Sequence, residues 1–98
     1  MKRLELSAEA DADLTEILAF GTERFGETAA DIYFFSFERS FELLRRHPEA
    51  GQIDEQSRHR LRRISHGSHR IFYRHDGEGI LIVRIIHYSR DVARLLEI

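Results

Sequence analysis

Arginine and histidine are concentrated in one stretch of the chain, residues 58–75. This basic stretch holds six Arg, four His and no acidic residue, and Arg84, His87 and Tyr88 lie further along the chain. Cleavage of a phosphodiester needs a cation on the phosphate, a base, and an acid for the leaving oxygen. These residue types can supply all three, so a nuclease site is one hypothesis for this part of the chain.

A nuclease site would need Arg62, Arg84, His87 and Tyr88 to converge from neighbouring strands. A structural role accounts equally well for the arginines, because alternate residues of a strand lie on one face of a sheet and remain solvated there. The basic stretch contains no carboxylate to act as the base, and Glu55 precedes it. The sequence therefore favours a charged binding surface over a catalytic site.

Arg84 interrupts an otherwise apolar run over residues 80–86. An arginine buried in such a strand needs an acidic partner, and we expect Asp91 or an acid of the first helix to supply it. His87 is predicted to be a hydrogen-bonded structural histidine. The chain has no cysteine, and His66 and His69 flank a turn without metal-ligand spacing. We therefore expect surface histidines, no metal and no cofactor.

Charge is strongly segregated along the chain, although the net charge is only −2. Residues 1–57 carry 13 Asp/Glu against six Lys/Arg, whereas the basic stretch carries six Arg and no acid. An acidic half joined to a basic block is typical of a surface that binds a polyanionic or acidic partner.

Length and hydropathy predict the class of protein. A chain of 98 residues predicts a single domain over 1–98. No apolar run approaches the ~20 residues of a membrane span, and the N-terminus lacks a signal-peptide core. We therefore expect a cytoplasmic protein without membrane contact.

The elements that position these residues follow from periodicity and turn residues. Apolar periodicity predicts a strand over 3–6 and a first helix over about 8–24. A second helix opens at Phe25-Gly26 and runs to His47, and a link of only two to four residues predicts that the two pack as an antiparallel hairpin. A proline and a glycine end the second helix, and residues 48–59 are predicted to be a polar loop. Three strands and a last helical turn follow, over 61–66, 68–75, 80–88 and 91–98. The order β-α-α-β-β-β predicts an α+β fold with the hairpin packed on a mostly antiparallel sheet.

Each helix has an apolar face with a different extent. The first helix is expected to turn one stripe toward the sheet, formed by Ala10, Leu14, Ile17, Leu18, Gly21 and Phe25. The second helix carries more aromatic residues than one core face requires. Ile32 and Phe35 lie off its main stripe, and we expect them to line a groove for a partner.

The order of motifs along the chain is similar to that of a known family. Leu6-Ser7-x-x-Ala10-x-x-Asp13-Leu14 opens the first helix, and Gly67-Ser68-His69-Arg70-Ile71-Phe72-Tyr73-Arg74 forms a strand. Arg84-x-x-His87-x-x-x-Asp91 ends the sheet and precedes Val92-Ala93-Arg94-Leu95-Leu96. Together, over nearly the whole chain, these motifs resemble the ParE branch of the RelE/ParE toxin superfamily.

The resemblance implies a toxin of a bacterial type II toxin–antitoxin system. Such a toxin would inhibit DNA gyrase without catalysis and would form a hetero-oligomer with a ParD-like antitoxin. One alternative is a RelE-like ribosome-dependent mRNA endonuclease, with Arg62, Arg84, His87 and Tyr88 as its catalytic residues. A further alternative is a degenerate toxin that retains only antitoxin binding. The residues expected to bind the antitoxin or the target are Arg58, Arg60, Arg62, Arg63, Arg70, Arg74, Ile32 and Phe35.

Overall fold

The computed structural model of the protein describes residues 2–90 and 95. Its elements are β1 (Arg3–Leu6), α1 (Ala8–Phe25), α2 (Glu27–Arg46), β2 (Gln52–Ile53), β3 (Arg62–His66), β4 (His69–His75) and β5 (Gly79–His87). The sheet order is β1-β5-β4-β3-β2, with β1 parallel to β5 and all other neighbours antiparallel. The two helices pack on one face of this sheet. The predicted α+β class and mostly antiparallel sheet are confirmed.

The structure differs from the predicted elements mainly in the turns. α2 begins at Glu27 because Gly26, with a left-handed φ of 89°, ends α1 and begins α2 in one residue. The predicted loop 48–59 contains β2, a two-residue edge strand paired with β3. The predicted last turn over 91–98 lies outside the described residues, apart from residue 95. None of the described helices is long and apolar enough to cross a membrane.

α1 begins at a serine that also contacts the edge of β5. Ser7 Oγ accepts a hydrogen bond from the Ala10 N–H (2.9 Å), which caps the helix, and donates to the Val83 carbonyl (2.8 Å). The pairing of β1 with β5 stops at Leu6 and Ile82. The first turns of α1 therefore run along the part of the β5 edge that β1 leaves open.

The main core lies between the helical hairpin and the sheet. The helices approach closely where a Cβ on Gly21 would lie 3.2 Å from the Cβ of Ala30. The buried residues of this core include Leu14, Phe37, Phe41, Leu44, Ile71, Tyr73, Ile82 and Ile85. The predicted stripe of α1 is confirmed at Ala10 and Leu14, which are buried. It is wrong at Phe25, the last residue of α1, whose exposed fraction is 69%.

A second, smaller core lies on the other face of the sheet, here called the open face because no helix of the described residues covers it. Leu61, Phe72 and Ile86 are buried there, with Val83 and Leu95 packed against them. Side chains alternate along a strand. Because Ile71 and Tyr73 of β4 face the helices, Arg70 and Arg74 project from the open face.

Candidate functional site

The arginines of the basic stretch do not share one role. Arg62 donates from Nη1 to the carbonyl of Gly51 (2.7 Å) and more weakly to that of Glu49 (3.4 Å). The buried Tyr73 contacts the same segment, since its hydroxyl donates to the Pro48 carbonyl (2.7 Å) and accepts from the Gly51 N–H (2.8 Å). Arg62 therefore holds the chain after α2 against the sheet.

The other five arginines of the basic stretch differ in exposure, since Arg63 and Arg70 are half-buried and the rest are exposed. Arg58 and Arg60 are exposed on the loop that connects β2 to β3. Arg63 lies on the open face with Arg70 and Arg74, because Ile64 beside it packs into the core on the helical side.

The four residues of the nuclease alternative do not all converge, because Arg84 and His87 line one groove and Arg62 lies apart from them. Arg62 pairs across the sheet with Tyr73, whereas His87 pairs with His69, the partner of His66 at the far end of β3. From Arg62 to His66 the strand advances about 13 Å. Tyr88 is exposed and its ring stacks on that of His87, with centroids 4.7 Å apart.

Arg84 has an acidic partner on α1. The sequence predicted an acid of the first helix as one of two possible partners. The Nε and Nη2 of Arg84 donate to Oδ2 (2.8 Å) and Oδ1 (2.9 Å) of Asp13, and Oδ2 also accepts from the Ile85 N–H (2.8 Å). The two side chains are 19% and 10% exposed. Hydrogen bonding to the Asp13 carboxylate raises the pKa of Arg84. Asp13 thereby closes the β5 edge at the point that β1 does not reach.

His66 and His69 are half-buried beneath α2, so the expectation of surface histidines is wrong for both. His66 lies between two serines one helical turn apart, with Nε2 2.7 Å from Ser36 Oγ and Nδ1 2.7 Å from Ser40 Oγ. Ser36 donates its hydroxyl proton to the Tyr33 carbonyl. It must therefore accept from the Nε2–H of His66, while Ser40 donates to Nδ1. Burial, with the charge of Arg39 as a smaller cause, lowers the pKa of His66.

His69 is the second member of this cluster. Its Nδ1 lies 2.7 Å from the Tyr33 hydroxyl, and the hydroxyl also accepts from the Ser68 N–H (3.2 Å). The rings of His69 and His87 meet edge to face with centroids 5.3 Å apart. Burial, and then the neighbouring His87 and His66, lowers the pKa of His69 to about 4. His69 is therefore neutral at pH 7.

His87 has the hydrogen-bonded environment that the sequence predicted. Its Nδ1 accepts from the Ser89 N–H (3.1 Å) and lies 2.7 Å from Ser89 Oγ. Within the part of the chain that the structure describes, no three His, Cys, Asp or Glu side chains come close enough together to hold a metal ion.

An apolar groove of about 710 Å³ opens between α1, α2 and the end of β5. Its apolar wall includes Ile17, Phe20 and Phe25, and its polar lining includes His69 and His87. Phe20 and Phe25 are 56% and 69% exposed, which is unusual for side chains of this size. The groove can therefore take apolar side chains of a partner beside a few polar groups.

The comparisons with known proteins identify the family. The sequence matches the model of the family described as the ParE toxin of the type II toxin–antitoxin system parDE, over residues 4–92. The chain belongs to the ParE toxin family. It is therefore a ParE-type toxin of a type II toxin–antitoxin system, and the resemblance seen in the sequence is confirmed.

Individual ParE relatives cover almost the full chain. Toxin ParE1 of Caulobacter vibrioides is 38% identical over 91 residues, which cover 93% of this chain and 94% of the relative. Toxin ParE1 of Mycobacterium tuberculosis is 35% identical over 95 residues, which cover 96% and 97%. A solved structure of the chromosomal ParDE TA system from P. aeruginosa superposes with a TM-score of 0.77 at 20% identity, covering 89% of this chain and 96% of that one. This last likeness supports the fold alone.

The groove of this ParE toxin was not predicted from the sequence. Periodicity placed Phe25 on the core stripe and did not distinguish Phe20, because it shows which face a residue occupies but not where the opposing sheet ends. Ile32 and Phe35, which the sequence did select, are exposed on α2 but do not line the groove. A usable sequence signal for the groove was Phe20, a phenylalanine that lies beside the predicted apolar stripe near the end of α1.

Proposed function

We propose that this ParE-type toxin inhibits DNA gyrase in the bacterial cytoplasm by binding, without catalysis, and that a ParD-like antitoxin neutralises it. The observation that supports binding over catalysis is that both arginines among the nuclease candidates are engaged within the protein. The guanidinium of Arg84 is engaged by Asp13 and that of Arg62 by the Gly51 carbonyl. Neither guanidinium is free to hold a phosphate next to His87.

The antitoxin, in this proposal, inserts apolar side chains into the groove beside Phe20 and Phe25. Two observations support this: the groove exposes aromatic surface, and the family that the chain matches is described as the toxin of the parDE toxin–antitoxin system. Burial of such surface stabilises a complex by roughly 25 cal/mol per Å². The residues proposed to bind the antitoxin or the target are Ile32, Phe35, Arg58, Arg60, Arg63, Arg70 and Arg74, without Arg62, which is engaged internally.

Expression of the chain alone in bacteria tests the proposed target. We expect filamentation and DNA-damage signalling while protein synthesis continues, and we expect the purified toxin to inhibit gyrase supercoiling until the antitoxin is added. Immediate loss of translation with cleaved messages would instead establish the endonuclease. Unimpaired growth would establish a degenerate toxin that retains only antitoxin binding.

Substitution of His87 and Tyr88, the two nuclease candidates nearest the C-terminus, tests the absence of catalysis. His87→Ala and Tyr88→Phe should lower toxicity only as far as they lower the melting temperature, because neither side chain performs a reaction. The measurement is growth inhibition at matched expression, paired with thermal unfolding of each variant. A large loss of toxicity at an unchanged melting temperature would contradict the proposal.

A further inference from the structure

Three arginines of the open face surround one buried aromatic ring. Arg63 lies opposite Phe72 across the β3–β4 pairing, and Arg70 and Arg74 lie two residues to either side of Phe72 on β4. Phe72 is fully buried, so the guanidinium groups and not the ring form the accessible surface. From Arg70 to Arg74 the strand advances about 13 Å. We call the surface formed by Arg58, Arg60, Arg63, Arg70 and Arg74 the arginine face.

Arg58 and Arg60 are held beside this surface by a hydrogen-bonded loop. The Asp54 N–H donates to the Leu61 carbonyl (2.7 Å), which closes the loop. Inside it, the buried Ser57 donates from Oγ to the Asp54 carbonyl (3.1 Å) and accepts from the Leu61 N–H (2.6 Å). Leu61 packs with Phe72, so the loop ends on the open face.

Most of the charge of the arginine face is not neutralised by the residues that the structure describes. The side chains of Arg58, Arg60, Arg70 and Arg74 make no hydrogen bond or ion pair with any residue that the structure describes. Arg63 is the one of the five with an acidic partner among the described residues, since its buried Nε lies 3.5 Å from Oδ1 of the buried Asp54. By contrast, ion pairs with Asp or Glu hold Arg3, Arg45, Arg46 and Arg84.

The arginine face offers almost no apolar anchor to a partner. The large exposed apolar residues among the described ones lie elsewhere, on α1, on α2 and at the end of β5, with Ile53 of β2 at the border of this face. A stable protein partner needs an apolar centre to its interface. A phosphate backbone needs only positive charge, and the arginine fork binds phosphate with two parallel hydrogen bonds.

We propose that the arginine face binds the phosphate backbone of duplex DNA without reading its sequence. This inference rests on the proposed function and extends it, because it assigns the contact with DNA to one side of the toxin and the antitoxin groove to another. A toxin that holds both gyrase and the DNA bound by gyrase would act on the complex of the two.

The test uses the full-length toxin and a fluorescently labelled 20-base-pair duplex of arbitrary sequence. Affinity is measured by anisotropy between 50 and 200 mM salt for the wild type, for Arg70→Gln/Arg74→Gln, and for Arg39→Gln, an exposed arginine of α2, as control. Each phosphate neutralised contributes a slope of about −0.9 to log K against log salt. For the double variant we expect the slope of log K against log salt to be shallower by about 1.8, because two phosphate contacts are lost. We also expect its affinity for the duplex to fall at least about tenfold. The control should match the wild type.

Three results would overturn the proposal. The first is a wild-type toxin that does not bind the duplex, and the second is a double variant, with unchanged melting temperature, that binds it like the wild type. The third is a double variant that keeps duplex binding but associates more slowly with the cognate antitoxin, which would assign the arginine face to the antitoxin. The gyrase supercoiling assay is independent of all three. Duplex binding without gyrase inhibition would reject the proposed target alone, and gyrase inhibition without duplex binding would reject this inference alone.

Discussion

Asp13 connects α1 to the edge of β5 through one carboxylate. It accepts three hydrogen bonds, two from Arg84 and one from the Ile85 N–H, and both side chains are mostly buried. Asp13 thus neutralises the charge of Arg84 inside an apolar strand. It also accepts a hydrogen bond from the Ile85 N–H, which β1 leaves unpaired. A buried ion pair stabilises a fold little more than apolar residues of similar size would in the same place. Removal of one partner is nevertheless costly, because it leaves the other charge buried without a counter-charge.

Asp13→Asn should therefore lower the free energy of unfolding by about 3 kcal/mol, because Arg84 would keep its burial and lose its counter-charge. Urea unfolding measures this change. Glu23→Gln removes a carboxylate from the exposed part of the same helix and should stay within about 0.5 kcal/mol of the wild type. If the two variants were equally stable, the bonds between Asp13 and Arg84 would not have the role assigned to them.

The histidines beneath α2 make stability depend on pH. Because the pKa of His69 is lowered to about 4, the unfolded chain binds a proton that the folded protein does not bind between about pH 6.5 and 4. The stabilising contribution is complete above pH 6.5 and is lost as the pH falls through this range. From pH 7 to 5.5 the loss stays below about 1 kcal/mol, because the ring is half-exposed.

Urea unfolding at pH 7 and 5.5 measures this loss of stability, and carboxylates change their protonation little in that interval. The Tyr33 hydroxyl donates its proton to the His66 carbonyl (3.1 Å), so it accepts from His69. His69→Gln keeps a donor for this hydroxyl but has no proton to bind, so its stability should change less over this interval. His47→Gln, at an exposed position after α2, should follow the wild type. An equal pH dependence of wild type and His69→Gln would contradict this assignment.

At the level of elements, the β3–β4 turn is fitted to α2. Gly67 has a left-handed φ of 54°, and a Cβ there would lie 2.6 Å from Cε1 of Tyr33. The Tyr33 hydroxyl in turn contacts His69 and the Ser68 N–H. The turn therefore cannot accept a side chain without displacing the ring that positions the histidines.

Gly67→Ala should lower the free energy of unfolding by about 2 kcal/mol, from backbone strain together with overpacking against Tyr33. Gly77→Ala in the β4–β5 turn is the matched control, since a Cβ there meets nothing within 4 Å. The control should change stability by no more than about 0.5 kcal/mol. Thermal or urea unfolding separates the two, and equal effects would show that Tyr33 does not restrict the turn.

The extent to which the sequence predicted these elements depends on the length of each signal. Helical periodicity and alternation predicted α1 and β3 to β5 to within about one residue at each end. The link between the helices is one residue shorter than the shortest predicted, because Gly26 alone caps both, and β2 was missed because two residues are too short for periodicity to detect. The need of Arg84 for an acid was predicted from its strand. That Asp13 supplies this acid depended on where α1 crosses β5, which no local pattern contains.

At the level of the whole molecule, the exposed phenylalanines of α1 lie on the helical side of the fold and three of the strand arginines project from the open face. The sequence predicted the segregation of charge, because the basic stretch is continuous along the chain. It did not predict that Arg62 turns inward while Arg63, Arg70 and Arg74 turn outward, since that depends on the register of β3 with β4. The groove with Phe20 and Phe25 arises where α1 extends past the buried core, and its detection needed the relative lengths of helix and sheet.

If the groove holds the antitoxin, its two exposed phenylalanines should affect binding far more than folding. Phe20→Ser/Phe25→Ser removes side chains that are more than half exposed in the free toxin, so the melting temperature should change little. Loss of two aromatic contacts should weaken the complex by about 2 kcal/mol, or about 30-fold in Kd, mainly through faster dissociation. Titration calorimetry with the cognate antitoxin measures the affinity, and Leu43→Ser, an exposed apolar position of α2 outside the groove, is the control. Equal affinity of the double variant and the control would assign the antitoxin to another surface, with the exposed pair Ile32 and Phe35 as the next to test.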